Sequence, residues 1–268
     1  MFPCPVKSLS ELKSALFLVL AIWVTPNFCY AAGPIEELIR DRLSADKKTL
    51  DLSGTNIGTR GAKVLAGMNL LLNVETLLLQ GNKIKYAGMK SLAKSPHSVN
   101  LKHLDLWGNM IGDMGLKVLS ESSYIKGLEM LKLWKNEIGD DSLELMVKSS
   151  NFKQLKTLML NDNMVTPVGA VYLANPDVFP RLETLNVFRN EIGDEGAFAF
   201  SRSKPFVNLK SFYIGENNLT DKGAIALIKS NSFPNLETLD MVKNHLSEET
   251  TIAAFEYRKK KKIQIIIR

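Results

Sequence analysis

The stretch LKHLDLWGNMIGDMG, residues 101–115, contains the pattern that the rest of the chain repeats. It has leucines at positions 101, 104 and 106, followed by Asn109, Ile111 and Gly115. The asparagine returns at a constant step of 27 residues, at Asn82, Asn109, Asn136, Asn163, Asn190, Asn217 and Asn244. One step upstream the same register falls on Thr55, which marks a variant first repeat. Self-similarity at a fixed step predicts eight structural units stacked in a row.

The spacing of apolar residues predicts one strand and one helix in each unit. Leucines 101, 104 and 106 lie on one side of a short strand, so His103, Asp105 and Trp107 are expected to face solvent. A helix is predicted from about Asp194 to Ser201, before Lys204-Pro205. Because helices are wider than strands, the stack is expected to bend, with a parallel sheet on its concave side and helices on its convex side.

Residues at the turns and helix starts repeat with the same step. Aspartates are expected to cap the helices that they open, and Thr166-Pro167 is a cap followed by proline at the first turn. The aspartates are Asp113, Asp194 and Asp221. A column of phenylalanines is expected to stack beneath the connecting turns, at Phe152, Phe179, Phe206 and Phe233.

These columns resemble leucine-rich repeats, and the resemblance covers the chain from about residue 34 to its end. The long unit and its turn, Ile192-Gly-Asp-Glu-Gly-Ala197, are similar to the ribonuclease-inhibitor-like subclass of that family. The resemblance implies an α/β leucine-rich repeat solenoid, a horseshoe with a concave parallel β-sheet and convex helices. Near-identical repeats without cysteine-paired caps further suggest an exported bacterial member.

The asparagine column has a structural explanation. Where the strand ends, the chain turns inward and leaves buried backbone groups. A side-chain amide carries both donors and an acceptor and can satisfy such groups in neighbouring turns. The seven asparagines are therefore assigned to the scaffold.

The two ends of the repeat array look like half repeats. Residues 32–46 are predicted to form a capping helix, in which Leu38 lies 27 residues before Leu65. Residues 47–262 hold the eight repeats. Residues 263–268 supply a terminal strand, in which Ile263 and Ile266 stand one step after Leu236 and Leu239 and are expected to face inward.

The first 31 residues have the order of a secretory signal peptide. Lys7 and Lys13 precede an apolar run of about ten residues, which is too short to cross a bilayer as a helix. The small residues Cys29 and Ala31 favour cleavage after Ala31. An uncleaved anchor or a buried hydrophobic helix is the alternative. The sequence therefore predicts export, to the periplasm, the cell surface or the medium.

Composition narrows the chemistry that the chain can perform. It is 45% hydrophobic and 23% charged, which is typical of a globular protein. Both cysteines lie in the first thirty residues and only three histidines occur, so a disulfide framework, a thiolate nucleophile or an ordinary zinc site is not expected in the repeats. His103 stands beside Asp105 without an accompanying nucleophile. We expect no enzymatic activity, no metal site and no cofactor.

The solvent-facing strand positions of a solenoid form one continuous surface, and here they carry large apolar groups. The predicted partner-binding residues are Trp107, Trp134, Met159, Phe188, Tyr213, Lys132 and Arg189. Aromatic and arginine anchors inside a charged rim are typical of a binding hot spot. Two alternatives stay open: the aromatics cover the sheet because they are good strand formers, or they form a self-association contact.

A basic run follows the last helical pattern, at Arg258, Lys259, Lys260, Lys261 and Lys262. It is interpreted as a solvated turn at an exposed sheet edge, with weak contact to an anionic surface as the alternative. No nucleic-acid partner is expected, because the run has no interleaved aromatics.

The sequence thus favours an exported, non-enzymatic module that binds a protein partner through its concave face. A regulator of a GTPase or an enzyme inhibitor is an alternative, although such relatives act in the cytosol and the inhibitors are rich in cysteine. A structural or glycan-binding envelope component is the third interpretation.

Overall fold

The structure, a computed structural model, describes residues 33–268, and the predicted signal peptide lies outside these residues. Within this range the elements alternate between strands and helices. The strands are β1 Thr49–Asp51, β2 Thr76–Leu78, β3 His103–Asp105, β4 Met130–Lys132, β5 Thr157–Met159, β6 Thr184–Asn186, β7 Ser211–Tyr213, β8 Thr238–Asp240 and β9 Gln264–Ile266. The helices are α1 Pro34–Asp41, α2 Gly58–Ala66, α3 Lys85–Ala93, α4 Gly112–Ser120, α5 Asp140–Lys148, α6 Pro167–Leu173, α7 Gly193–Ser201, α8 Asp221–Ile228 and α9 Glu248–Lys260.

The described strands form one open parallel sheet in chain order, β1 to β9. From β1 to β8 each residue pairs with the residue 27 positions later, as Leu104 pairs with Leu131. The central residue of each of these strands is buried, whereas the residues flanking it are mostly half-exposed. The core therefore runs continuously between the sheet and the helices, and the α/β leucine-rich repeat solenoid predicted from the sequence is confirmed.

The last strand departs from the step of 27. Leu239 pairs with Ile265, which is 26 residues later. Because successive strand residues face opposite sides, this shift by one residue buries Ile265 in place of Ile266. The prediction that Ile266 faces inward was wrong, because it is only half-buried, whereas Ile263 is partly buried and packs against the core.

The first strand is covered at its outer edge. Residues 42–44 run antiparallel to β1, and Ser44 and Asp51 donate backbone hydrogen bonds to Thr49 and Arg42. Helix α1 buries Ile39 completely, whereas Leu38, the residue that the step of 27 placed inward, is half-buried. Short pairing of this kind satisfies edge groups that would otherwise offer a template for another strand.

The asparagine side chains connect each repeat to the one before it. The Nδ2 of Asn109 donates to the carbonyls of Leu79 and Leu106 at 2.8 and 2.9 Å. Its Oδ1 accepts from the backbone N–H groups of Asn82 and Ile84, both at 3.2 Å. At the variant position the Thr55 hydroxyl donates to the Leu52 carbonyl at 2.7 Å.

The turn aspartates cap the helix of the following repeat, which differs from the expectation that they cap their own. Asp194 accepts from the backbone N–H groups of Thr220 and Gly223 at 2.8 and 3.1 Å. Asp221 accepts from the backbone N–H of Ser247 at 2.9 Å. The stacking of the helices places the next helix start beside each carboxylate, so the orphan amides of that helix are within its reach.

This inter-repeat contact accompanies a change in the turn backbone. The contact position is the residue of the preceding repeat that faces the turn residue. Where it holds aspartate, the backbone of the turn residue is extended, as it is at Gly139, Thr166, Thr220 and Ser247. Where the contact position holds another residue, the turn residue has a positive φ of 58 to 60°. This is the case for Lys85 after Thr59, for Gly112 after Tyr86 and for Gly193 after Pro167. The residue type at the contact position of one repeat thus correlates with the backbone conformation of the turn in the next repeat.

All four phenylalanines of the predicted column are buried. The rings of Phe206 and Phe233 stack with centroids 6.1 Å apart, and Phe233 also packs against Phe212 of β7 at 5.6 Å. The column therefore joins the core beneath the sheet, where aromatic pairs contribute large buried areas.

Replacing Asn136 by alanine should lower the free energy of unfolding by about 1–3 kcal/mol, because it orphans buried backbone groups in two repeats. Asn136 bridges the carbonyls of Leu106 and Trp134 and the N–H groups of Asn109 and Ile111. Urea denaturation measures the change, with the exposed Asn231→Ala as control. Equal midpoints for both variants would contradict this role.

Asp221 should make stability depend on pH. Hydrogen bonds from Thr250 and Ser247 hold the pKa of Asp221 below its ordinary value of 3.8. The folded state therefore favours the carboxylate, and the stabilisation is present above about pH 4 and lost as the pH falls below the ordinary value. Asp221→Asn should cost about 1 kcal/mol at pH 7, the size of a helix-cap loss, and much less at pH 3. Denaturation at both pH values measures this, and the exposed Asp141→Asn on α5 should show no such difference. A penalty independent of pH would contradict the assignment.

Candidate partner-binding surface

Two parallel rows of outward side chains carry most of the predicted partner-binding residues and are here called the first row and the second row. The first row is the last residue of each strand: Asp51, Leu78, Asp105, Lys132, Met159, Asn186, Tyr213 and Asp240. The second row lies two residues later: Ser53, Gln80, Trp107, Trp134, Asn161, Phe188, Gly215 and Val242. Because the strands are in register, neighbours within a row are about 4.8 Å apart at the backbone.

The two tryptophans of the second row stack on each other. The ring centroids of Trp107 and Trp134 are 4.9 Å apart and the planes are inclined by 19°. Both side chains stay accessible, at 43% and 39% of their full exposure. The stacked rings thus form an exposed apolar pair beyond the ends of β3 and β4.

Asp105 is buried, although the sequence placed it on the solvent side. Its side chain lies on the outward face but retains only 5% exposure, because neighbouring side chains cover it. Lys132 forms an ion pair with its carboxylate at 3.2 Å, and the side-chain amide of Gln80 donates to the same oxygen at 2.8 Å. A buried carboxylate requires such partners, and here they come from the two adjacent repeats.

The second apolar group of the predicted site lies on β5 to β7. Met159, Phe188 and Tyr213 are each half-buried. The ring of Phe188 lies over Gly215, where an added Cβ would stand 2.7 Å from the ring and 2.8 Å from the carbonyl of Val242. Gly215 therefore provides the space that lets Phe188 lie against the sheet.

Charged side chains border this group at the strand-to-helix turn. The Nε of Arg189 donates to Glu216 at 2.7 Å, and the guanidinium stands 5.9 Å from the ring centre of Phe188. Lys243 approaches Glu216 at 3.6 Å. The pKa of Glu216 is lowered, mainly by the hydrogen bond from Arg189.

One amide separates the tryptophans from Phe188, and another lies within the group around Phe188. Asn161 stands between Trp134 and Phe188 in the second row, and Asn186 stands between Met159 and Tyr213 in the first. Asn186 accepts from the backbone N–H of Phe188 at 3.0 Å. The Oδ1 of Asn161 is buried without a hydrogen-bond partner among the described residues. The predicted residues therefore form two neighbouring clusters, one around the tryptophans and one around Phe188.

Sequence reasoning missed a row of alternating charge at the start of the strands, here called the charge row. It consists of Lys48, Glu75, Lys102, Glu129, Lys156, Glu183, Lys210 and Glu237. Glu75 contacts Lys48 and Lys102 at 3.0 and 2.7 Å, and the later pairs include Lys156–Glu129 and Lys210–Glu183. Hydrogen bonds from Lys102 and Lys48 lower the pKa of Glu75. The same step of 27 that revealed the asparagines would have revealed this row.

The predicted basic run and His103 lie outside the two clusters. Arg258 and Lys259 lie within α9, not in a turn, and the Lys259 ammonium stands 4.3 Å from the ring centre of Phe255. Lys261 and Lys262 follow the helix and are exposed. The Nδ1 of His103 lies 3.1 Å from the hydroxyl of Thr76. Among residues 33–268, no cluster of three or more His, Cys, Asp or Glu side chains is arranged to hold a metal ion. No helix in that same range is long and apolar enough to span a bilayer.

Gly215→Ala should displace the Phe188 ring and lower the free energy of unfolding by about 1–3 kcal/mol, since the Val242 carbonyl is backbone and yields little. Chemical denaturation measures the loss. Gly67→Ala is the control, because there the new Cβ would meet only the Val64 carbonyl at 3.5 Å. Equal stability of the two variants would show that Phe188 is not held against Gly215.

Comparisons with known proteins agree with the architecture. A family described as Leucine Rich repeat matches residues 48–66, 97–120, 181–201 and 207–227. No curated protein matches the chain at a significant level.

Solved structures similar to this chain include an internalin from Listeria monocytogenes, with 16% identity and a TM-score of 0.41 over 75% of this chain and 63% of that one. A TDR receptor has 16% identity and a TM-score of 0.39 over 86% of this chain and 44% of its own. The plant peptide hormone receptor RGFR1 in complex with RGF2 has 15% identity and a TM-score of 0.35 over 69% and 34% of the two chains. The chain thus spans less than two thirds of the length of each of these structures.

The single parallel sheet and the intervening helices, together with the repeat matches, show that residues 33–268 have the fold of a leucine-rich-repeat solenoid.

Proposed function

We propose that this protein is an exported, non-enzymatic interaction module that binds a protein partner through the outward face of its sheet. The observation that carries the proposal is the stacked and exposed pair of Trp107 and Trp134, next to the ion pair of Asp105 and Lys132. Within the family, the 27-residue unit favours the ribonuclease-inhibitor-like subclass, in an exported bacterial member.

The tryptophan cluster has the composition of an interface centre. Large aromatic side chains supply most of the binding energy at protein interfaces, and a contiguous exposed apolar patch usually marks a contact surface. The exposed parts of the two indoles offer apolar area, and the ammonium of Lys132, two residues before Trp134, offers a directional contact for a partner carbonyl or carboxylate.

The surface is also preformed. Trp107 and Trp134 follow β3 and β4, and each of these strands pairs with a neighbouring strand on both sides. The backbone carbonyls of the two tryptophans accept hydrogen bonds from the side chains of Asn109 and Asn136, which belong to the asparagine column. A partner therefore meets side chains that are already positioned, which reduces the ordering entropy that binding must overcome.

The second cluster extends this surface along the sheet. Arg189 lies against Phe188 and is held by Glu216, so its guanidinium keeps a defined direction. Several charged groups of the face are held in ion pairs, as Lys132 is by Asp105 and Arg189 by Glu216, an arrangement that suits recognition better than proton transfer.

Export rests on the pattern of residues 1–31, which ends in the small residues that favour cleavage after Ala31.

The exposed Lys261 and Lys262, with Arg258 and Lys259 of α9, are proposed to make weak contact with an anionic surface outside the cytosol. Such a contact should weaken as salt rises.

Substituting both tryptophans by alanine should abolish capture of the partner, because it removes the apolar centre of the surface. The measurement is affinity or proximity capture from the native compartment, with identification by mass spectrometry. The intact mass of the captured protein also shows whether cleavage occurs after Ala31.

The control is Phe255→Ala, which removes a more exposed aromatic from α9, away from the outward face of the sheet. Far-UV circular dichroism checks that the repeats remain folded in both variants. Equal capture by the double variant and by the unchanged protein would refute binding through the tryptophan cluster.

A further inference from the structure

The charge row alternates without exception over eight repeats, and each member stands immediately before its strand. It therefore follows the edge of the solenoid where the helix side of each repeat leads into the sheet. An alternating row with an even number of members has a particular symmetry: when it is reversed end to end, every cation falls on the place of an anion.

We propose that this edge is a self-association surface, on which a second copy of the chain binds in the opposite direction about a two-fold axis between the fourth and fifth repeats. In this arrangement Lys48 faces Glu237 and Glu75 faces Lys210. Nearer the axis, Lys102 faces Glu183 and Glu129 faces Lys156. A two-fold interface uses the same surface on both copies, so each of these contacts occurs twice.

The alternation also selects the alignment. A shift of the second copy by one repeat would place Lys48 opposite Lys210 and Glu75 opposite Glu183. Juxtaposed like charges disfavour the shifted complex, so the row distinguishes the aligned arrangement from its nearest competitors.

Ion pairs at a surface contribute little affinity, so a stable contact needs apolar area as well. The same edge exposes Leu72 and Val99 in the first half of the chain and Val207 in the second, at 42%, 42% and 54%. The two-fold reversal brings Leu72 to Val207 and Val99 to Pro180. Val207 and Pro180 line a groove of about 460 Å³ that also contains Phe206.

One pair on this edge opposes association. Lys126 and Lys153 are exposed and stand three residues before Glu129 and Lys156, so the two-fold axis sets Lys126 opposite Lys153 of the second copy. This pair provides a gain-of-function test, because reversing one of the two charges converts two repulsive contacts into two attractive ones.

The test is sedimentation equilibrium of the purified protein at low and high salt. The unchanged protein should form a dimer whose dissociation constant rises with salt. Lys102→Glu and Glu183→Lys should each raise that constant by about tenfold or more, because each alters two contacts. Lys126→Glu should lower it.

The decisive variant combines Lys102→Glu with Glu183→Lys. Across the interface the exchanged charges again attract, so the dissociation constant should return to within about threefold of the original. Within one chain the same exchange puts a carboxylate at position 102, between those of Glu75 and Glu129, so a row that serves only its own chain predicts no recovery.

Lys63→Glu on α2 changes an exposed lysine outside the row and should leave the dissociation constant unchanged. Thermal denaturation followed by circular dichroism confirms that each variant is folded. A monomeric unchanged protein at low salt, or a double variant as weak as the two single ones, would overturn the proposal.

Discussion

The side-chain hydrogen bonds of the asparagine column are the interactions on which the stack depends. At the end of every strand the chain turns inward, and its buried backbone groups need partners that the turn itself does not contain. One side chain, such as Asn217, donates to the carbonyl of Val187 in the preceding repeat, while its Oδ1 accepts from the N–H of Ile192 in that repeat. Because these contacts span 30 and 25 residues, a single insertion between two asparagines would separate the side chain from its partners. The constant length of the repeat follows from this geometry.

A constant length places each side chain beside its own counterpart in the next repeat. Leucine beside leucine and amide beside amide are favourable, and such columns keep one residue type. Charge beside like charge is not, and the charge row accordingly alternates. The charged residues at the strand-to-helix turn also alternate in sign, as Arg189, Glu216 and Lys243 follow one another in successive repeats. Stacking thus constrains the surface as strongly as the core.

The sequence predicted the solenoid well because its columns report periodic burial. Helix α7 begins one residue before the predicted Asp194 and ends at the predicted Ser201. The errors occur where the period gives no information. The last strand lies within the predicted residues 263–268, but its register was wrong because the final step is 26 residues. Asp221 was assigned to its own helix because contacts between adjacent helices depend on stacking geometry rather than on sequence spacing.

For the candidate site, the sequence predicted which residues share the outward face and that Trp107 and Trp134 are neighbours. It did not predict the burial of Asp105, because alternation assigns a side of the sheet but not the cover that Gln80 and Lys132 provide. Nor did it predict that Phe188 lies over Gly215, since the missing side chain of the next repeat creates that space. Both features depend on contacts between repeats.

The stacked indoles give the protein an intrinsic optical signal. The sequence contains three tryptophans, and the two in the repeats lie 4.9 Å apart and nearly parallel. The contact between these rings contributes a tryptophan band in near-ultraviolet circular dichroism that changes when the rings separate. Repeat proteins can open locally, because each unit contacts only its neighbours. The band therefore reports on the junction of the third and fourth repeats alone, while the far-ultraviolet signal reports on all the helices.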